Sequence, residues 1–340
     1  MKRILVVNVN WLGDVIFSSS IFRALRAQHP DAHISCMAPP RVKEILERID
    51  GIDEIIVYDE ENEHFWPWAK LWFIFQLRRR KFDVAYLLHR SLTRALLASW
   101  AGIPQIIGYD TKTKNRYLTK KVQEHAQEMM HRADIYLNVI ETDNVQVQDR
   151  TTRLNINSEI RKEAEKILLS SGIGDHDYVV VVNTGGNWDL KRWPKQYFSQ
   201  LIAQLTNELN VKVVIPGAPD DAKLAQEIMQ EAKTSGVINL AGKTTLKQLM
   251  GIMERADLVI SSDSGPLHMA SSLGTDVIGV FGPTRPEITG PRGNGKKIIL
   301  QKDVGCNQRA CYFLQCPDNI CMKAVSVKDV VDAVRQIKGA

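Results

Sequence analysis

Four polar stretches in the second half of the chain carry residue types from which a reaction could be built. Asp263-Ser264-Gly265-Pro266-Leu267-His268 follows the apolar run Leu258–Ile260 and opens a helical pattern. The free N–H groups and positive dipole end of a helix start attract phosphate. Pro266 suits the first turn, and His268 adds a donor. Gly282-Pro283-Thr284 breaks off the next strand-like run, Val277–Phe281. After Tyr178–Asn183 comes Thr184-Gly185-Gly186-Asn187-Trp188-Asp189-Leu190-Lys191-Arg192, where two glycines free the backbone and Lys191 or Arg192 supplies a cation for phosphate. Ile215–Asp220, containing Gly217, ends another strand-like run and offers a wall for a nucleoside. Ser, Asp and Gly are also ordinary helix caps. The density of Asp263, Ser264, Gly265, His268 and Thr284 is what points to an anion site, with a nucleoside diphosphate as the natural anion.

In the first half, Arg3–Val9 ends in Asn10-Trp11-Leu12-Gly13-Asp14. Asp14 reads either as the N-cap of the helix that follows or as a general base, with Gly13 admitting a substrate and Trp11 and Leu12 excluding water. Other motifs fail. Gly236–Thr244 has five residues between its glycines where a P-loop has four, and its middle reads as a strand. No G-x-G-x-x-G follows the first strand. Glu128 and His131 make a single Glu-x-x-His where a bridged metal site needs two. Cys306, Cys311, Cys316 and Cys321 recur every five residues, wider than a C-x2-C knuckle. They read either as reduced thiols or as a structural Zn or Fe site.

Composition bounds the setting. The 340 residues suit two domains, and 44% hydrophobic with 24% charged residues is ordinary for a globular protein. A net charge of +5 without a basic stripe argues against nucleic acid as a partner. No apolar run reaches the ~18 residues of a membrane span, and Asn8, Asn10 and Asp14 interrupt any signal-peptide pattern. A cytoplasmic protein is expected.

Strand-like runs at Arg3–Val9, Ala32–Met37, Glu54–Tyr58, Phe82–His89 and Gln105–Tyr109 alternate with helical patterns, the first of them Val15–Gln28. The rhythm repeats at Tyr178–Asn183, Val211–Pro216, Gly236–Leu240, Leu258–Ser261 and Val277–Phe281. This pattern predicts an α/β protein of two Rossmann-like, doubly wound parallel-sheet domains facing an interdomain cleft, spanning 1–157 and 158–340. The polar stretch Asp149–Ser158 marks the boundary, and the last helix is a candidate to pack back on the first domain. His64–Lys81 stands apart, with Trp66, Trp68, Trp72, Phe73 and Phe75 followed by four cations. It reads as a helix packed on the sheet with cations in its last turn, or as an interfacial helix in peripheral contact with the inner membrane.

Taken together, Asn10–Val15, Lys191–Pro194, Asn239–Thr244, Asp263–His268 and Phe281–Thr284 resemble the ADP-heptose:lipopolysaccharide heptosyltransferases, glycosyltransferase family 9, over nearly the whole chain. The Trp11–Asp14 form is most like the second-heptose branch. The resemblance implies a GT-B fold and inverting, metal-independent transfer of L-glycero-D-manno-heptose from ADP-heptose to a lipid A-Kdo inner-core acceptor, with no cofactor. It puts Asp14 on the catalytic base and Lys191 on the phosphate-binding lysine. Gly185, Gly186, Asn187, Gly217, Asp263, Ser264, Gly265, His268 and Thr284 fall on the donor side. Trp11 and Gly13 fall on the acceptor side. The basic residues Lys112, Lys114, Arg116, Lys120 and Lys121 read either as a grip for phosphate groups on that acceptor or as a solvated basic loop. Transfer onto a protein, or a silent nucleotide-sugar-binding scaffold, are the rival readings.

Overall fold

Val179–Asn183 is buried at every position, the mark of a strand covered on both faces. Runs of this kind build the protein. The computed structural model describes residues 1–111, 113, 115–123, 130–186, 188–306, 311 and 316–339. Among them the chain forms two compact units, Met1–Asn155 and Ile156–Ala340.

The first unit runs β1 (Arg3–Val7), α1 (Leu12–Phe17), α2 (Ser19–Gln28), β2 (His33–Ala38), α3 (Lys43–Leu46), β3 (Glu54–Val57), α4 (Pro67–Arg79), β4 (Val84–Leu87), α5 (Leu92–Trp100), β5 (Gln105–Tyr109), β6 (Lys120–Val122) and α6 (Arg132–Glu141). Its sheet has the order β3-β2-β1-β4-β5-β6, parallel throughout.

The second unit runs α7 (Ser158–Ser170), β7 (Val179–Asn183), α8 (Lys195–Glu208), β8 (Lys212–Ile215), α9 (Ala222–Ala232), β9 (Val237–Asn239), α10 (Leu246–Arg255), β10 (Leu258–Ser262), α11 (Gly265–Leu273), β11 (Asp276–Val280), α12 (Pro286–Thr289), β12 (Lys297–Leu300), α13 (Ile320–Lys323) and α14 (Val327–Lys338). The sheet order is β12-β11-β10-β7-β8-β9, again all parallel. Counted from its own first strand this is the same order as in the first unit, the Rossmann order. The direction of winding reverses between β1 and β4 and between β7 and β10, where such sheets leave a crevice at their carboxyl ends.

Several expectations are corrected. Each sheet has a sixth strand that the sequence hides. β6 and β12 are short edge strands that carry lysines and lie partly exposed, so neither shows the long buried run of the inner strands. The single helix expected over Val15–Gln28 is two helices. Ser18 Oγ donates to the Val15 carbonyl at 2.7 Å and accepts from Asn8 Nδ2 at 2.9 Å, closing α1 before α2 begins. The last helix, α14, is a candidate from sequence to return to the first domain. In the structure its apolar face, Val327, Val330, Val331, Ala333 and Val334, lies in the second unit's own core. Thr245 and Gln248 form a capping box on α10. Among the described residues no helix is long and apolar enough to cross a membrane.

Helices α7 and α10 pack through Gly251, where an added Cβ would lie 2.7 Å from Ala164 Cβ and 2.8 Å from the Ile160 carbonyl oxygen. Helix propensity alone favours alanine by about 1 kcal/mol, but crowding a backbone oxygen costs about 1–3 kcal/mol. Gly251→Ala is therefore expected to lower the urea midpoint. A raised midpoint would contradict the close approach.

Candidate active site

The second unit's reversal point gathers most of the residues that the sequence singled out there. β10 ends in Ser261-Ser262, and Asp263 follows at the mouth of α11, where Ser264 takes the N-cap position and Gly265-Pro266 the first turn. The Asp263 side chain is 4% exposed. Lys191 Nζ donates to its Oδ2 at 2.7 Å, Thr289 Oγ1 donates to the same oxygen at 3.1 Å, and His268 Nε2 lies 3.3 Å from Oδ1. Burial opposes ionisation of Asp263, but the His268 imidazole and the Lys191 ammonium prevail and hold its carboxyl well below the usual carboxylate range. Lys191 is the more exposed partner, at 23%, and its ammonium also lies 5.4 Å from the centre of the Trp188 ring. The carboxylate is thus buried, and the Lys191 side chain that pairs with it is partly exposed beside the helix start.

Polar groups under this site fix the loops. Asn183 Nδ2 donates to Ser261 Oγ at 3.0 Å and to Ser264 Oγ at 3.3 Å, joining β7 to β10 across the reversal. A Cβ on Gly185 would meet the Asp221 carboxylate at 2.6 Å, and one on Gly217 would meet Asp221 Cβ at 2.8 Å. Gly185, expected to open the backbone to a ligand, and Gly217, in the stretch expected to wall a nucleoside, both have Asp221 against them. Gly186 has open space, with nothing within 4 Å of an added Cβ. The hydroxyls of Thr184 and Thr284 are buried without a hydrogen-bond partner among the described residues. Each orphan costs about 1–3 kcal/mol unless something answers it.

The first unit's reversal point holds Asp14. The N-cap of α1 is Trp11, which makes no side-chain capping bond, so the capping reading of Asp14 does not apply. Instead Asp14 Oδ1 accepts from Tyr136 Oη of α6 at 2.7 Å. Burial first, and then the Asp14 charge, hold the Tyr136 hydroxyl well above its usual pKa, so it stays a donor. Gly13 stands next to it in the first turn. Arg94 of α5, 2% exposed, spans the reversal by donating to the Asn8 carbonyl at 2.6 Å and to Asn10 Oδ1 at 2.5 Å. Arg41 donates to the Asn10 carbonyl at 2.9 Å and stacks over exposed Trp11 at 4.7 Å. A cavity of about 270 Å³ opens here, lined by residues that include Asn10, Arg41, Tyr58, Asp59, Glu60 and Arg94.

Other expected residues lie elsewhere. Lys120 pairs with Asp143 at 3.1 Å, Lys121 lies 3.9 Å from Asp110, and exposed Arg116 stacks over Tyr117 at 4.8 Å. Lys112, Lys114, Asn187 and Glu128 lie outside the described residues. His131 caps α6, accepting from the Ala133 N–H at 3.1 Å. Cys306, Cys311, Cys316 and Cys321 line one cavity of about 360 Å³ with Gly282 and Pro283. Among the described residues no three His, Cys, Asp or Glu side chains are grouped to hold a metal ion.

Sequence reasoning missed Tyr136, Arg94, Asp221 and Thr289. Arg94 left a signal, a lone cation in the apolar pattern Leu92–Trp100 just after a strand. Tyr136 left none, because it reaches Asp14 across 122 residues.

Known proteins share this architecture. A model of glycosyltransferase family 9 (heptosyltransferase) matches residues 71–315. Lipopolysaccharide heptosyltransferase 2 of Escherichia coli (strain K12) is 27% identical over 305 residues, 87% of each chain. The glycosyl transferase family 9 structure from Veillonella parvula DSM 2008 has a TM-score of 0.84 at 26% identity, over 99% of this chain and 97% of that one. The structure of E. coli ADP-heptose lps heptosyltransferase II has a TM-score of 0.79 at 22% identity, over 99% and 98%.

The depressed Asp263 carboxyl gives a signed prediction. A lowered folded-state pKa stabilises above the ordinary carboxylate range and loses that contribution as pH falls through it. Asp263→Asn should therefore cost about 3 kcal/mol at pH 7 by leaving Lys191 unpaired. In chemical denaturation the gap between variant and parent should narrow only below about pH 4. A gap independent of pH would contradict the ion pair.

Proposed function

The chain belongs to glycosyltransferase family 9, the heptosyltransferases, and on that premise we propose that it moves L-glycero-D-manno-heptose from ADP-heptose to the lipopolysaccharide inner core, without a metal and with inversion. The observation that carries this reading is the partly exposed Lys191 ammonium, paired with Asp263 beside the start of α11. A cation and a helix N-terminus at one point suit the diphosphate of a nucleotide sugar. Preorganised charge of this kind takes up the negative charge that develops on the leaving ADP, the task a divalent metal performs elsewhere.

In this mechanism the acceptor hydroxyl gives its proton to Asp14 while its oxygen attacks the anomeric carbon. The bond from that carbon to the phosphate oxygen breaks, ADP leaves toward Lys191, and the anomeric configuration inverts. Tyr136 positions Asp14 through its hydrogen bond, and Asp263 positions Lys191. The first unit takes the acceptor, and the cavity beside Asn10, Arg41 and Arg94 is its candidate seat. The second unit takes ADP-heptose. The similarity to lipopolysaccharide heptosyltransferase 2 supports this acceptor class, and the enzyme would act from the cytoplasmic face.

The test is ADP release with ADP-heptose and a heptose-deficient core acceptor. Asp14→Asn should lower kcat about 10³-fold, within the range of a lost general base, while ADP affinity stays within about threefold of the parent's, since the interaction removed is one made only in the transition state. Retained turnover would remove Asp14 as the base.

A further inference from the structure

Helix α4 is apolar on two opposite faces. Phe73, Ile74 and Leu77 are buried, packed in the first unit's core. Trp68, Leu71, Trp72 and Phe75 recur at helical spacing on the other side and are 64%, 59%, 60% and 48% exposed. Phe65 and Trp66, just ahead of the helix, are exposed as well. A helix apolar all round is ordinarily covered all round, and a contiguous exposed apolar surface marks an interaction site. The rings are ordered against one another. Trp66 and Trp68 stack at 4.9 Å with 7° between planes, and Trp72 and Phe75 stack at 5.6 Å.

The charge at the end of this stripe selects the partner. Arg78, Arg79 and Lys81 are exposed and make no ion pair among the described residues. Arg79 stacks over Phe75 at 5.7 Å, while Arg80 is held by Glu54 at 2.9 Å. Arg3, Gln76, Arg79, Arg80 and Lys81 line an open concavity of about 600 Å³. The exposed acids Glu61 and Glu63 precede the helix, whereas the cations lie in and just after its last turn. A second copy of the chain would cover the aromatic face but set two exposed acids, Glu61 and Glu63, against three cations. An anionic bilayer answers both, because Trp and Phe settle at the headgroup level and Arg and Lys take lipid phosphates.

We propose that α4 lies flat in the surface of an anionic lipid bilayer, with Trp68, Leu71, Trp72 and Phe75 inserted and Arg78, Arg79 and Lys81 on lipid phosphates. Thirteen residues are too few to span, and the outward stripe runs along the helix, so the geometry is in-plane. This surface stands on its own chemistry and does not depend on the transfer reaction.

Co-sedimentation of the full chain with vesicles tests it. The parent should partition onto phosphatidylethanolamine–phosphatidylglycerol vesicles at least about tenfold better than onto phosphatidylcholine alone. Its tryptophan emission should shift to the blue, and inorganic phosphate at equal ionic strength should not reproduce the shift. A variant combining Arg78→Gln, Arg79→Gln and Lys81→Gln should bind about 100-fold more weakly, roughly fivefold per cation. One combining Trp68→Ser, Trp72→Ser and Phe75→Ser should lose binding by at least about tenfold, from the apolar area no longer inserted. All six side chains are exposed, so both variants should keep the parent's melting temperature. Binding of either folded variant equal to the parent's would overturn the proposal. So would no preference for anionic vesicles, or a lipid-free dimer that the aromatic variant abolishes.

Discussion

A carboxylate as buried as Asp263 must be answered by charge, and the second unit is arranged around that demand. Lys191, His268 and Thr289 converge on its two oxygens from three different segments. A buried pair of this kind adds little net stability compared with apolar packing. What it secures is position: the ammonium is pinned beside the α11 terminus rather than roaming on a flexible stem. Asn183, Ser261 and Ser264 tie the strands beneath, so the pair rests on a fixed floor.

The first unit meets the same geometric problem in another way. Both sheets use one strand order, and in both a cation bridges the point where winding reverses. Arg94 binds the Asn8 carbonyl and Asn10 Oδ1 deep under its loop, whereas Lys191 reaches solvent. The buried guanidinium holds backbone, and the partly exposed ammonium is available to a ligand. One topology thereby yields a scaffolded loop carrying a carboxylate, Asp14, and a pocket carrying a cation.

The architecture was legible where burial makes long apolar runs. Ten of the twelve strands among the described residues announced themselves as strand-like apolar runs, and the two that did not are short, partly exposed edge strands that carry lysine. Ser18 hid the break between α1 and α2, because a buried serine within an amphipathic pattern looks like helix interior until Asn8 is seen to bond it. Polar loops at strand ends pointed to Asp14, Lys191, Asp263 and His268, since a polar residue beside a glycine at such a place has few other uses. Tyr136, Thr289 and Asp221 act across long separations or inside short turns and leave no periodic trace. Gly185 and Gly217 carried an ambiguous signal, because a glycine admits a neighbouring side chain as readily as it admits a ligand.

The central claim is that Lys191 is held out for a diphosphate. Calorimetric titration of the parent and of Lys191→Met with ADP and with adenosine tests it most directly. The parent should bind ADP at least about 100-fold more tightly than adenosine, and the variant should lose most of that difference while its adenosine affinity stays unchanged. A substitution that weakened both ligands equally, or neither, would contradict the claim.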